Sequence, residues 1–219
     1  MSFLATVRRN PSAGLLFVQV LGMLLYPFME ASPSGRTFFG IFGLIVLGIA
    51  LWVVRRSPWL TWLGLLLAVP VIVLSTVTLI QPHPGLRATS ALLEAAFYFY
   101  ATGSLIAYML QDEVATTDEL FAAGATFTLL AWAFAYVYVA CAALIPGSFT
   151  GPGEGARSWL DLLYLSVAVL SGVGLSDILP RLPMARGLVM VESFAGIMYI
   201  AIVVSRLIGM TIANVRTRR

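Results

Sequence analysis

Apolar runs, each about as long as a bilayer is thick and separated by tight corners, constrain this chain more than any other feature. The hydrocarbon core of a membrane, about 30 Å deep, takes roughly 20 apolar residues as a helix. Five uninterrupted stretches meet or approach that length: Ala13 to Met29, Thr37 to Val54, Trp59 to Ile80, Ala88 to Leu110 and Leu120 to Ile145. A sixth, Gly187 to Ile212, is broken only by Glu192 and Arg206. Ser32-Pro33-Ser34-Gly35, Ser57-Pro58, Gln81-Pro82-His83-Pro84-Gly85 and Pro146-Gly147 supply the corners. Charged residues make up 11% of the chain and hydrophobic ones 60%, against about 25% charged in an ordinary soluble domain. A soluble globular protein, a disordered chain and a secreted disulfide scaffold are all excluded. The chain reads as an all-α integral membrane protein.

The rarer residue types narrow the chemistry. Cys141 and His83 are each the single residue of their kind, so no internal disulfide and no histidine-based metal site is expected. All 13 basic residues are arginine, which removes Schiff-base and Walker-lysine chemistry. A scattered net charge of +3 does not describe a nucleic-acid partner. No Gly-x-Ser-x-Gly or His-Glu-x-x-His pattern occurs, so neither an enzyme nor a cofactor is expected.

The segment between the fifth and sixth runs is the informative one. Arg157 to Leu170 has a helical pattern, with Trp159, Leu160, Leu163, Val167 and Leu170 as its apolar stripe. Its 14 residues reach roughly 21 Å as a helix and cannot cross a bilayer. It runs into Ser171-Gly172-Val173-Gly174-Leu175-Ser176-Asp177, which has no helical prospects. A half-span followed by irregular backbone is tolerated at membrane depth only where it is buried in protein or lines water. The pattern therefore predicts six spans with a re-entrant loop between the fifth and sixth.

Arginine placement agrees with that topology. Arg8, Arg9, Arg55, Arg56, Arg216, Arg218 and Arg219 fall inside, and Arg36, Arg87, Arg157, Arg181 and Arg186 fall outside. Both termini are then cytoplasmic in a multi-pass protein of the cell membrane. Counting the short helix as a full crossing would reverse the bias. The first run is long for a signal-peptide core and reads as a retained helix.

A short helix aimed into the bilayer and followed by glycine-containing backbone is suited to dehydrating a cation. Carbonyl oxygens replace the hydration shell, and the helix C-terminus contributes a favourable negative end. Gly172 and Gly174 permit the dihedrals that turn successive carbonyls to one side. Asp177 at the exit would concentrate cations by its charge. One loop cannot surround a pore, so a ring of subunits is expected.

The stretch Asp161 to Pro180, with Tyr164, Ser166, Ser171-Gly172-Val173-Gly174-Leu175-Ser176-Asp177 and Pro180, resembles the pore helix and filter of the potassium-channel pore family. Ala185-Arg186, Glu192, Gly196, Tyr199 and Ala201 follow at the spacings of bacterial members' inner helices. The resemblance spans residues 118 to 212. It implies a homotetramer with an outer helix at 118–145, a pore helix at 157–170, a filter at 172–176 and an inner helix at 186–212. The family filter reads Thr-Val-Gly-Tyr-Gly, whereas here it reads Gly172-Val173-Gly174-Leu175-Ser176. Gly172 lacks a hydroxyl for the innermost ion site, and Leu175 cannot brace the filter by a hydrogen bond. Ser176 carries a side chain where the family uses glycine at positive φ, a strain of roughly 1–3 kcal/mol if that geometry is kept.

The resulting expectation is a passive tetrameric cation channel, permeable to potassium and, with relaxed selectivity, to sodium. Gly172 to Ser176 would coordinate ions, with Ser171 and Asp177 flanking them. Glu192 either braces the filter from behind or snorkels to the interface, and Gly196 is either a hinge or a site of close packing. Residues 1–111 form a four-helix region, 112–119 an acidic linker, 120–215 the pore domain and 216–219 a basic tail that favours anionic lipid. The fourth run contains no arginine, with only Arg87 at its mouth, so little voltage dependence is expected. Glu94 and Gln19 could pair between helices. In the acidic linker, Thr117 or Asp118 is a helix cap and the other carboxylates are solvated. Competing readings are a non-conducting membrane sensor or interaction subunit that keeps this architecture, and a transporter. A transporter should show internal repeats, and none relates residues 1–110 to 111–219.

Overall fold

The computed structural model describes residues 10–30, 42–43, 45–46, 48–50, 52, 61–80, 83–110, 116–153, 155–206 and 208–209. Among them the elements are α1 (Pro11–Glu30), α2 (Thr61–Ile80), α3 (Pro84–Met109), α4 (Thr117–Leu144), β1 (Phe149–Thr150), α5 (Trp159–Leu170), β2 (Leu179–Pro180) and α6 (Pro183–Tyr199). A π-helical turn, Ile200–Val204, continues α6. Among the described residues, four helices are long and apolar enough to cross a membrane: Pro11–Phe28, Pro84–Met109, Thr117–Leu144 and Pro183–Val204. Trp62–Thr78 is a shorter apolar helix. Most of the expected second span, 37–54, lies outside the described residues, although its described positions are helical. Arg8, Arg9, Arg36, Arg55, Arg56, Asp112, Glu113 and the tail 216–219 also lie outside them.

Helix starts follow local chemistry. Proline opens α1, α3 and α6, where its missing N–H is an orphan in any case and its φ is already helical. Pro27 and Pro70 sit inside α1 and α2, a substitution that apolar membrane helices tolerate better than soluble ones. At α4 the cap is Thr116, one residue before Thr117 and two before Asp118, the expected caps. The Thr116 hydroxyl accepts from the Glu119 amide (3.3 Å), and the Glu119 carboxylate accepts from the Thr116 amide (2.7 Å). This reciprocal pair satisfies two orphan donors.

The chain divides into two compact units, and several long helices contribute to both. One comprises Met1–Gly64, Tyr100–Leu129 and Tyr199–Arg219. Its organising group is Asp118, one of the two residues expected to cap α4, which is buried. That carboxylate accepts from the Ser12 amide (3.0 Å), the Ser12 hydroxyl (3.1 Å) and the Tyr108 hydroxyl (3.2 Å). It thereby places a negative charge at the N-terminus of α1, where the helix dipole favours it. Further along, Gly124 admits the Leu16 side chain, and Thr128 donates to the Gln19 amide oxygen at 2.8 Å. Tyr199 donates to the Ala123 carbonyl (2.5 Å) and packs its ring edge-on against Phe127. Arg206 does not merely snorkel: its guanidinium donates to the Leu110 carbonyl at 2.7 Å, one of the carbonyls left unpaired at the end of α3.

The other unit comprises Leu65–Phe99 and Leu130–Met198. Here Glu94 accepts from Ser75 (2.6 Å) and Ser90 (3.2 Å), with Tyr136 as a further hydrogen-bond partner. Gln19, the partner suggested for Glu94, belongs to the first unit, where its amide oxygen accepts from Thr128. Tyr98 stacks on Tyr136 at 5.6 Å and meets Trp132 edge-on at 5.7 Å. Trp159, the first residue of α5, joins both Trp132 (5.3 Å) and Tyr136 (5.9 Å). An aromatic cluster thus seats the start of the short helix, each pair contributing about 0.5–1.5 kcal/mol beyond area burial.

Candidate functional site

The candidate site is the short helix α5 with the loop that leaves it. Its helical residues run from Trp159, two positions later than the sequence pattern suggested, because Ser158 and Asp161 form a reciprocal cap. The Asp161 amide donates to the Ser158 hydroxyl (3.2 Å), and the Asp161 carboxylate accepts from the Ser158 amide (2.9 Å). Asp161 is therefore committed to starting the helix. At 12 residues, α5 is roughly 18 Å long. It buries Trp159, Leu162, Leu163, Leu165, Ser166, Ala168 and Leu170, a broader face than the expected stripe; Leu160 and Val167 are half-buried.

The loop is fixed at both ends. At its start the amides of Ser171, Gly172 and Gly174 donate to the carbonyls of Val167, Val169 and Ala168, at 2.9 to 3.0 Å. At its end β2 pairs antiparallel with β1, Phe149 opposite Pro180 and Thr150 opposite Leu179. The Arg181 amide adds a bond to the Ser148 carbonyl at 2.8 Å. Ile178 is buried, its tip seated where any side chain at Gly151 would stand. Between these anchors Gly172, Val173, Gly174, Leu175 and Asp177 are exposed.

Backbone conformation in the loop alternates. Gly172 has φ +73° and Gly174 φ +69°, while no described residue other than glycine has positive φ. Ser176 is therefore not in the left-handed region, and the strain suggested from its position is absent. Its hydroxyl turns back instead, accepting from the Ile178 amide at 3.1 Å. Open space surrounds both loop glycines, so a substitution there meets a conformational penalty and no steric clash. Gly172→Ala and Gly174→Ala are each expected to destabilise by about 1–2 kcal/mol, whereas Ser176→Gly brings no relief of strain. Thermal unfolding of the three variants checks that ordering.

Behind the loop, α6 meets α5 at two places. Glu192 is fully buried, and its carboxylate accepts from the Tyr138 hydroxyl of α4 and the Ser166 hydroxyl of α5. Ser166 also lies 2.8 Å from the Ala131 carbonyl. A carboxylate within an apolar span is costly unless it is hydrogen-bonded. Here it ties the short helix to both of its long neighbours, and snorkelling is ruled out by its burial. One turn on, Gly196 faces the end of α5: a Cβ there would lie 2.2 Å from the Leu170 carbonyl oxygen. Of the predicted residues, then, 171–177 share one loop, while Glu192 and Gly196 lie behind it on α6. Sequence reasoning gave no role to Tyr138 or Ser166, although a serine in the middle of an apolar helix was a visible signal.

Helices of membrane-spanning length, with a capped short helix and a glycine-bearing loop among them, mark this chain as a membrane protein of the ion-channel class. Residues 95–213, more than half of the chain, match the family described as "Ion channel". The chain belongs to that family and is a member of the potassium-channel pore superfamily. No curated protein and no solved structure matches it. The family is one of channels, not of enzymes.

Proposed function

We propose that four copies of this chain form a passive cation channel whose ions pass along the backbone of Gly172 to Ser176. The observation that carries this reading is the alternating backbone after α5. In a regular strand successive carbonyls point to opposite sides; positive φ at Gly172 and Gly174, with Val173 between them, reverses that alternation and can aim them together. Family membership supports ion conduction, and the potassium-channel resemblance supplies the number four.

Exposure supports the oligomer. Val173 is 64% exposed and Leu175 74%, on irregular backbone that lipid cannot cover without leaving polar groups unpaired. Met190, Phe194 and Ile197 form a stripe on α6 that is 65–67% exposed. Partner subunits, or the water of a shared pathway, cover the loop in this reading. Residues 120–215 then form the pore domain, with the re-entrant α5 and its loop between the fifth and sixth spans. Residues 1–111 supply four spans, 112–119 a linker and 216–219 a cytoplasmic tail, in a protein of the cell membrane with both termini inside. In α3 the charged side chains are Arg87 and Glu94, and Glu94 is held by hydroxyls, so voltage dependence is weak.

The loop sequence points to relaxed selectivity. Gly172 contributes no hydroxyl ligand, and Leu175 leaves the loop without a side-chain hydrogen bond from that position. Recordings in planar bilayers under bi-ionic potassium and sodium conditions are expected to show passage of both cations, with little dependence on voltage. Asp177 is exposed with no hydrogen-bond partner among the described residues, so Asp177→Asn should lower conductance at low salt and much less at high salt, where screening is complete. Strong potassium-over-sodium selectivity would contradict the relaxed filter, and no conductance from a well-formed tetramer would contradict the channel.

A further inference from the structure

A cleft of about 500 Å³ lies in the second unit, between the start of α3, the end of α4 and the loop before α5. Its chemistry is divided. Val139, Ala142 and Leu162 give it an apolar wall, and His83, Arg87 and Arg157 give it a basic rim. No carboxylate lines it among the described residues. Arg157 is held rigidly, its guanidinium donating to the carbonyls of Pro152 (2.6 Å), Gly153 (3.1 Å) and Gly155 (2.9 Å). Its Nε is buried without a hydrogen-bond partner. Those carbonyls orient the guanidinium but leave its full charge uncompensated. Arg87 stands in the first turn of α3, exposed and without a side-chain partner among the described residues. The N-terminus of α3 beside it is already capped, the Gly85 amide donating to His83 Nδ1 (3.2 Å) and the Arg87 amide to the His83 carbonyl (2.9 Å), so the arginines carry the recognition.

The depth of the cleft matters as much as its charge. Both α3 and α4 are of spanning length, and the cleft sits where α3 begins and α4 ends. That is the level at which phospholipid headgroups meet acyl chains. We propose that this cleft holds the phosphate headgroup of an anionic phospholipid, paired with Arg87 and Arg157, while an acyl chain follows the accessible apolar lining of Ala142, Ala143 and Pro146. A free phosphate would use the rim and leave the apolar wall unfilled, which is why the lipid is favoured. The site is separate from the conducting loop and does not depend on the protein conducting ions.

Native mass spectrometry of the full-length protein with added lipid tests the assignment. Phosphatidylglycerol is expected to bind about five-fold or more tightly than phosphatidylcholine, a preference of the size that one or two arginines supply at a membrane surface. Added to a chain whose Arg216, Arg218 and Arg219 are already glutamine, Arg87→Gln, an exposed substitution that breaks no internal bond, should abolish that preference. Replacing Arg216, Arg218 and Arg219 together with glutamine should leave it intact. The proposal is overturned if the native chain shows no preference, if Arg87→Gln in the tail variant retains it, or if the tail variant alone loses it. It is likewise overturned if sn-glycerol 3-phosphate competes at the concentration at which phosphatidylglycerol binds, since the site would then take a soluble phosphate.

Discussion

Gly196→Ala is expected to lower the unfolding temperature and to weaken or abolish ion flux, although alanine is the better helix former. Alanine in place of glycine brings a helix about 1 kcal/mol of propensity. At this position the added methyl would stand 2.2 Å from the Leu170 carbonyl oxygen, a backbone atom that cannot step aside like the end of a side chain. Overpacking of this kind costs about 1–3 kcal/mol, so the net effect is destabilising. The displacement falls on the last turn of α5, three residues before Val173. Gly187→Ala on the same helix is the internal comparison, because nothing within the subunit lies within 4 Å of its added carbon. That variant should be neutral or slightly stabilised. A Gly196→Ala protein as stable and active as the native one would show that α5 and α6 do not rely on this contact.

Removing the carboxylate of Glu192 should have a comparable effect by a different route. In Glu192→Ala the Tyr138 hydroxyl loses its acceptor inside the protein, while Ser166 keeps the Ala131 carbonyl. A stranded buried hydroxyl costs about 1–3 kcal/mol, and the cavity left by the lost side chain adds to it. Glu192→Gln retains an amide oxygen for Tyr138 and should lose much less. Tyr138→Phe leaves the buried Glu192 Oε2 without its donor and should likewise cost about 1–3 kcal/mol. The expected order of destabilisation is therefore Glu192→Ala and Tyr138→Phe well above Glu192→Gln. Thermal unfolding reads that order directly. Equal loss in all three would indicate that the side chain fills space and that its hydrogen bonds contribute little.

Features that depend on near neighbours in the chain were open to sequence reasoning. Apolar runs predict spans because the bilayer length scale is known, whereas the Ser158–Asp161 capping pair, equally local, was missed and the helix was expected to start at Arg157. The loop glycines were legible for the same local reason: Gly172 and Gly174 do take up positive φ. The strain that Ser176 would carry in the family's backbone geometry does not arise, because the chain does not keep that geometry there. Contacts between distant segments were not legible. Tyr138 and Glu192 are 54 residues apart, and neither carries a local signature of the other. Asp118 and Ser12 are 106 residues apart, so a linker residue read as a candidate cap of its own helix proves to be the anchor of the first helix. Gly196 remained ambiguous between hinge and packing until Leu170 was seen against it.

The most direct test of the ion pathway is a structure of the assembled protein in lipid with potassium present. The account predicts a four-fold ring in which backbone oxygens of Gly172 to Ser176 face the common axis and carry ion density. A ring in which that loop faces lipid or the interior of its own subunit, with no ion density along it, would contradict the account.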